Sequence, residues 1–200
     1  EGLVGSEMCI RDSFRSLINK VKLKKPDLIY SIVVGGSNVA WYKQLKAAGI
    51  TSNKYNLLTI STTEDELLGI GGENAEGFYA CMKYFQSQEN ENNQAFVKAF
   101  KEMWGADSVI GDVTQAAYLG PWIWKAAVEK AGSFDIDNVH AAHPNIELPD
   151  APEGYVRVHE TNQHLYSRAK IGKIKRDGQF DVIAISEDLI EPDPFPKGYQ

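Results

Sequence analysis

Cysteine is scarce in this chain, and its scarcity excludes one class of fold. The 200 residues contain only Cys9 and Cys81, so a framework of several disulfides is ruled out. Cys81 lies in an apolar stretch and is interpreted as a buried, unreactive thiol. A long hydrophobic run is also missing, since no stretch approaches the ~20 apolar residues of a membrane-spanning helix. We therefore expect no direct insertion into a membrane.

An excess of positive charge is absent as well. Lys and Arg number 21 against 27 Asp and Glu, which gives a formal net charge of −6. Proteins that bind nucleic acid present basic surfaces to the phosphates, so nucleic acid is not expected as a partner. The chain has 43% hydrophobic and 24% charged residues, an ordinary globular composition that can bury one sizeable core.

The first residues are interpreted as foreign to the natural protein. Leu3–Asp12 back-translates into a common transposase-type sequencing adaptor read in one frame, and such scars are left out of fold analysis. Residues 1–13 are then a non-native, adaptor-derived segment, and a natural N-terminal arm is the alternative. In this interpretation the natural sequence begins at Ser13 or Phe14, inside a longer protein. The lack of a targeting segment is then no evidence for a cytoplasmic location.

Residues 14–86 carry the pattern of an α/β sheet. The nearly continuous apolar run Asp27–Val34 is typical of a parallel strand buried on both faces. Ser37 is suited to cap the following helix, and Thr63 and Glu66 match a capping box. The predicted elements are a helix over 16–23, a strand over 27–34, a helix over 38–48, a strand over 55–60, a helix after Thr63 and a strand over 77–85. This alternation predicts a parallel sheet flanked by helices.

Residues 87–148 are predicted to be helical throughout. Phe96, Phe100, Met103 and Trp104 are spaced for one helix face, and further helices are predicted over 114–130 and 135–143. Pro121 would kink the longer helix or begin a second segment. No strand is predicted among these helices, so the apolar faces of Phe96–Trp104 and Ala117–Val128 are expected to be exposed.

The C-terminal part, residues 149–200, is predicted to be a β meander followed by an extended tail. Three short strands are expected at Tyr155–Val158, Ile171–Ile174 and from Phe180 on. Asp177-Gly178 lies between the last two and predicts a type I′ hairpin turn, because that turn needs positive φ at both central residues.

Several strings of this sequence together resemble one receptor family. They are KPDLIYSIVVGGSNVAWYKQLKAAGI, ISTTEDELLGIGGENAEGFYACMKYFQS, NNQAFVKAFKEMWGAD, AAYLGPWIWKAAVEKAG and APEGYVRV with IGKIKRDGQFDVI. From Phe14 to Gln200 the chain resembles the C-terminal half of the urea- and short-chain-amide-binding receptors among the type I periplasmic binding proteins. The resemblance implies a partial α/β fold of that type, whose members close two lobes around a ligand. Residues 14–86 would form most of lobe 2, 87–148 helices of lobe 1, and 149–200 the hinge crossing, meander and tail.

The same resemblance implies a ligand site where the parallel strands end. Ligands in such folds bind at the carboxyl ends of the strands. Gly35, Gly36 and Ser37 follow one strand, and Ser61, Thr62 and Glu64 follow the next. Urea needs donors for its carbonyl and acceptors for its NH2 groups, which hydroxyls and a carboxylate supply. The competing interpretation for this second segment is ordinary helix capping by Thr63 with a solvated Glu64.

Motifs for catalysis, metals and cofactors are weak. Gly69–Gly72 lacks the spacing of a dinucleotide loop and is interpreted as a turn, and His140 with His143 is interpreted as a surface pair. We therefore expect no cofactor, no metal and no enzyme activity. The expected function is the receptor of an ABC importer for urea or a related small amide, in the periplasm or another extracytoplasmic space, with ABC permease subunits as partners. The alternatives are a cytoplasmic amide sensor that regulates amidase expression and a branched-chain amino-acid receptor.

Overall fold

The computed structural model describes residues 13–198, so the predicted adaptor-derived segment lies, except for Ser13, outside the described residues. The chain divides into two compact units. Of the described residues, unit 1 contains 13–81 together with Ile171–Asp181, and unit 2 contains Met82–Lys170 together with 182–198. The lobe boundaries that the resemblance implies stay a prediction.

Seven helices and eight strands are assigned in the described residues. The helices are α1 Arg15–Lys24, α2 Ser37–Ala47, α3 Glu64–Ile70, α4 Gly72–Ala75, α5 Glu91–Trp104, α6 Asp112–Ala131 and α7 Ile136–Ala142. The strands are β1 Ile29–Ser31, β2 Leu57–Thr59, β3 Tyr79–Met82, β4 Glu147–Leu148, β5 Val156–Val158, β6 Leu165–Tyr166, β7 Lys170–Ile174 and β8 Phe180–Ile185. No helix among them is both long and apolar enough to cross a membrane.

The α/β alternation predicted for the first part of the chain is confirmed. Strands β1, β2 and β3 pair in parallel, with Ile29 opposite Leu57 and Ser31 opposite Thr59. They belong to a five-stranded sheet in the order β1-β2-β3-β7-β8. Helix α2 buries Tyr42 and Leu45 completely, as its apolar spacing predicts.

Strand β1 corrects two expectations. It is only three residues long, and Tyr30 is exposed while Ile29 and Ser31 are buried, so the prediction of burial on both faces is wrong. The flanking Leu28, Ile32 and Val34 are more than half exposed. β1 is an edge strand of its sheet, and the described residues supply no layer over this face.

Ser37 is the first residue of α2 rather than its cap. The N-cap position belongs to Gly36, and no side chain caps this helix, so the predicted role of Ser37 is wrong. The capping box at Thr63 and Glu66 is confirmed at the start of α3. The difference arises because Thr63 adopts the extended backbone that an N-cap side chain requires, whereas the preceding residue Gly36 is already helical.

The hairpin between β7 and β8 has a different turn from the predicted one. Lys175 donates its N–H to Gln179 O at 2.8 Å and Gly178 donates to Lys175 O at 3.1 Å, which encloses a three-residue loop. Gly178 has φ 82°, while Asp177 is not in the left-handed region. A type I turn followed by a left-handed glycine has this geometry, so the type I′ prediction is wrong although the hairpin is where the sequence places it.

The C-terminal strands are divided between two sheets. Strand β5 pairs antiparallel with β4 and β6, whereas β7 and β8 belong to the five-stranded sheet. A single meander of β5, β7 and β8 is therefore wrong, because the unpredicted strands β4 and β6 take both edges of β5.

Unit 2 has its core between α6 and the three-stranded sheet. The buried cluster comprises Leu119, Ile123, Ala127, Ile146, Ala151, Val156 and Val158. The expectation that the chain supplies no sheet for these helices is thus wrong for one face of α6, which continues unbroken through Pro121. The expected exposure is confirmed at Met103 and Trp104 on α5, which are 74% and 67% exposed, and at Trp122 on α6, which is 46% exposed.

Candidate functional site

The two predicted site segments lie side by side in unit 1. Ser61 donates its hydroxyl to the carbonyl of Val33 at 2.5 Å, and Asn38 donates from Nδ2 to the carbonyl of Ser61 at 3.0 Å. The loop after β2 is therefore bonded to the loop after β1 and to the first turn of α2. This juxtaposition follows from the parallel pairing of the strands, whose carboxyl ends meet at one edge of the sheet.

The loop after β1 is open at its surface. Gly35 and Gly36 are exposed and Ser37 is half-buried. A Cβ at either glycine would meet nothing within 4 Å, and Gly35 has φ 61°, which favours glycine. The backbone of this loop is accessible to a small molecule, and Ser61 is also half-buried.

Thr62 is fully buried behind this surface. Its hydroxyl lies 3.3 Å from Tyr42 Oη and 3.5 Å from Thr59 Oγ1, so it joins α2 to the end of β2. Burial raises the pKa of Tyr42 to about 12, and the hydrogen bond to Thr62 opposes that rise. Thr62 supports the loop from inside.

Glu64 occupies a buried position at the start of α3, with only 1% of its surface exposed. The alternative of a solvated Glu64 is therefore wrong. The capping residues lie beside it: Glu66 accepts the backbone N–H of Thr63 at 2.7 Å, and the Thr63 hydroxyl donates to Asp65 at 2.5 Å. Burial is also the main cause that raises the pKa of Glu66. A cap of carboxylates fixes the direction in which the loop enters α3.

Three polar residues of this region were missed by sequence analysis: Ser31, Asn38 and Tyr42. Asn38 is 1% exposed, and because Nδ2 donates to Ser61, its Oδ1 is left as a buried acceptor. Neither this Oδ1 nor the buried hydroxyl of Ser31 has a hydrogen-bond partner in the described part of the chain. An asparagine in the first turn after Gly-Gly-Ser could have been noticed as a polar residue facing the same edge. Ser31 gives no such signal within its apolar strand.

The glycine segment Gly69–Gly72, Cys81 and His140 lie outside these two loops. Gly71 separates α3 from α4 with φ 81°, so the turn predicted over Gly69–Gly72 is confined to Gly71, and the flanking residues are helical. Cys81 is half-buried rather than fully buried, and desolvation raises the pKa of its thiol. His140 is exposed and contacts Gln163. Within residues 13–198, no group of three or more His, Cys, Asp or Glu side chains could hold a metal ion.

Solved structures with the same fold are solute-binding proteins by name. A solute binding protein of an ABC transporter from R. palustris, in complex with benzoate, is 18% identical with a TM-score of 0.78 and matches 90% of this chain and 49% of its own. An amino acid ABC transporter substrate-binding protein from Pseudomonas fluorescens is 19% identical with a TM-score of 0.80 and matches 92% of this chain and 50% of its own. The chain thus spans about half the length of these proteins, and at this identity the likeness establishes the fold.

A curated relative has an enzyme's name. Limonene hydroxylase from Geobacillus stearothermophilus is 34% identical over 125 residues, which are 62% of this chain and 23% of that protein. A sequence family described as the periplasmic binding protein domain matches residues 8–200. The match covers nearly the whole chain, and the chain belongs to the periplasmic binding protein domain family.

Proposed function

We propose that this chain is part of a receptor that binds urea or a related small amide for an ABC importer. The observation that supports this proposal is the bonded pair of loops in unit 1, where Ser61 donates to Val33 and Asn38 donates to Ser61. Gly35, Gly36, Ser37 and Ser61 would contact the ligand at the accessible surface. Thr62 and Glu64 would be part of the same site and would support it from buried positions.

The polar groups of this region match an amide better than an anion. Urea offers one carbonyl acceptor and NH2 donors. The hydroxyl of Ser37 can donate to the carbonyl. The hydroxyl of Ser61 donates to Val33 and keeps lone pairs that can accept from NH2, and Asn38 Oδ1 is a buried acceptor without a partner in the described residues. Residues 33–38 and 61–64 contain no Lys or Arg and one carboxylate, Glu64. A carboxylate ligand such as benzoate or an amino acid would find no cation in either loop, and an unpaired buried charge is costly.

The family and the fold support a proposal for the partners. A receptor of this kind would deliver its solute to ABC permease subunits in an extracytoplasmic space. Closure of two lobes would be driven by the greater affinity of the closed form for the ligand. We propose a receptor rather than an enzyme, because the match to the hydroxylase spans only 23% of that protein.

Isothermal titration of the purified chain with urea, acetamide, leucine and benzoate tests the proposal. Acetamide or urea is expected to bind, and Ser61→Ala is expected to weaken that binding about tenfold, which corresponds to the loss of one hydrogen bond of roughly 1.4 kcal/mol. Ser52→Ala is the matched control, because Ser52 also donates its hydroxyl to a backbone carbonyl in unit 1, that of Glu76 at 2.8 Å, away from both loops. Binding of leucine or benzoate but of neither amide would reject the amide assignment.

A further inference from the structure

Unit 2 contains a group of charged and polar side chains that the proposed site does not use. Lys83 Nζ donates to Gln115 Oε1 at 3.0 Å and lies 3.3 Å from Glu153 Oε1 and 3.8 Å from Asp112 Oδ1. Lys170 Nζ donates to the carbonyls of Lys83 and Glu153, at 2.5 and 2.9 Å. Two lysines and two carboxylates leave the group electrically neutral. We call these five residues the Lys83 cluster.

Two atoms of the Lys83 cluster have no hydrogen-bond partner among the described residues. They are Gln115 Nε2 and Glu153 Oε2, and both side chains are deeply buried, with residue exposures of 0% and 5%. The orientation of the Gln115 amide is fixed, because Lys83 can only donate and therefore faces the oxygen. Gln115 thus leaves a donor and Glu153 leaves an acceptor, both on side chains that share Lys83.

Two members of the Lys83 cluster reach the surface of the protein. The side chain of Lys83 is 27% exposed and that of Asp112 is 16% exposed, whereas that of Glu153 is 1% exposed. Buried polar atoms without partners are costly, at about 1–3 kcal/mol each. A small polar molecule that enters past Lys83 and satisfies both atoms would remove that cost.

The combination of one spare donor and one spare acceptor selects a chemical class. A primary amide has one carbonyl and one NH2 group, which complement Gln115 Nε2 and Glu153 Oε2. A carboxylate would place its charge against Glu153, and an ammonium would place its charge among Lys83 and Lys170. We propose that the Lys83 cluster is a binding recess for one neutral amide group in unit 2. This ligand class rests on the proposed function, but the residues of the Lys83 cluster are different from those of the site in unit 1.

The experiment uses the side-chain NH2 signals of the intact 15N-labelled chain, with acetamide as the probe. Addition of acetamide is expected to shift the Gln115 signal, and Gln115→Met is expected to weaken acetamide binding at least about tenfold. Gln86→Met is the matched control, because Gln86 is also in unit 2 and its Oε1 also accepts a hydrogen bond, from the backbone N–H of Ile110 at 2.8 Å. The side-chain NH2 signal of this control glutamine is expected not to shift when acetamide is added. Its methionine variant is expected to bind acetamide as the unsubstituted chain does.

The outcomes separate this inference from the proposed function. If Ser61→Ala weakens acetamide binding while the Gln115 signal stays unshifted, only the inference about the Lys83 cluster is overturned. An ordered water would then occupy the Lys83 cluster. If the Gln115 signal shifts and Ser61→Ala does not change acetamide binding, the binding recess at the Lys83 cluster is supported and the site in unit 1 is overturned. Absence of acetamide binding would overturn the inference about the Lys83 cluster, whereas the proposed function is overturned only if urea also fails to bind. If Gln115→Met fails to fold, the signal shift in the unsubstituted chain still decides.

Discussion

The hydroxyl of Ser61 donates to the carbonyl of Val33 across 2.5 Å, and this bond continues the register of the sheet. Ser31 lies opposite Thr59 in the parallel pair β1 and β2. Val33 and Ser61 each follow two residues later, so they meet where the two strands end. The strand register thus brings the two candidate loops together, and the polar contacts of the site follow from the backbone pairing.

Tyr42→Phe is expected to change the stability of the protein at high pH. The pKa of Tyr42 is raised to about 12 by burial, so between pH 10 and about 12 the folded state keeps a proton that the unfolded state loses. Stability therefore falls as pH rises through this range, by up to about 2.7 kcal/mol at 1.36 kcal/mol per pKa unit. Tyr42→Phe should remove this part of the decline, as measured by guanidinium unfolding between pH 9 and 11.5.

Thr62→Val is the control for this measurement. It removes the hydroxyl that contacts Tyr42 Oη but leaves the phenol buried. We expect a lower stability at every pH with the decline above pH 10 retained. An unchanged decline in Tyr42→Phe would mean that Tyr42 does not hold its proton in the folded state.

Gly72→Ala is expected to destabilise unit 1. A Cβ at Gly72 would lie 2.5 Å from Arg176 O and 2.5 Å from Gly178 N, and both atoms belong to the backbone of the hairpin loop. Relief of such a contact requires a backbone shift, which typically costs about 1–3 kcal/mol. Guanidinium unfolding should show this loss as a lower midpoint with an unchanged slope.

Gly69→Ala provides the comparison within the same unit. Gly69 lies in α3, and a Cβ there would meet only the Val39 side chain at 3.4 Å. Alanine favours the helix over glycine by up to about 1 kcal/mol, so this variant should be as stable as the parent or slightly more stable. Equal stability of Gly72→Ala and Gly69→Ala would contradict the close packing of α4 on the hairpin loop.

The parts of the fold that sequence predicted are those with local signals. The apolar runs predicted the order of β1, β2 and β3. The capping box and the Asp177-Gly178 turn are each encoded by a few neighbouring residues. Strand β4 is two residues long, too short for any alternation, so the sheet that takes β5 was missed. Whether a face of β1 is buried depends on the other elements that pack against it, and an apolar run does not predict those elements.

The polar residues of the two proposed sites also divide into those that a local sequence signal marks and those that it does not. Glycine and hydroxyl residues after apolar strands marked the two loops of unit 1. Gln115 and Glu153 were missed because they are 38 positions apart in the sequence and meet only through Lys83. A buried glutamine in an apolar helix gives no pattern that distinguishes it from an exposed one.

Cys81 is expected to react slowly with alkylating reagents. Desolvation raises the pKa of its thiol, and the side chain is half-buried, so little thiolate is present near neutral pH. Residue-resolved mass spectrometry after iodoacetamide treatment at pH 7.5 should show slower labelling of Cys81 in the folded chain than in guanidinium. Equal rates in the two states would show that the folded environment does not protect this thiol.

The outward face of α5 and α6 is expected to bind hydrophobic dyes and to promote self-association. A continuous aromatic stripe is formed by the rings of Trp104, Phe100, Phe96, Tyr118 and Trp122, in that order, with successive centroids 4.5 to 6.4 Å apart. Trp104 and Trp122 are 67% and 46% exposed, and exposed apolar patches of this kind mark interaction surfaces or drive aggregation. Replacement of both tryptophans by serine should lower dye fluorescence and shift the sedimentation distribution toward the monomer.

Trp124→Ser tests whether continuity of the stripe matters. Trp124 is 54% exposed on the same helix, but its ring pairs only with Phe134, at 6.1 Å, among the aromatic contacts of the described residues. Because two positions along a helix lie about 200° apart around its axis, Trp124 points away from Trp122. Its replacement should leave association nearly unchanged. If Trp124→Ser and Trp122→Ser reduced association equally, exposed tryptophan in general would be responsible and the stripe would have no special role.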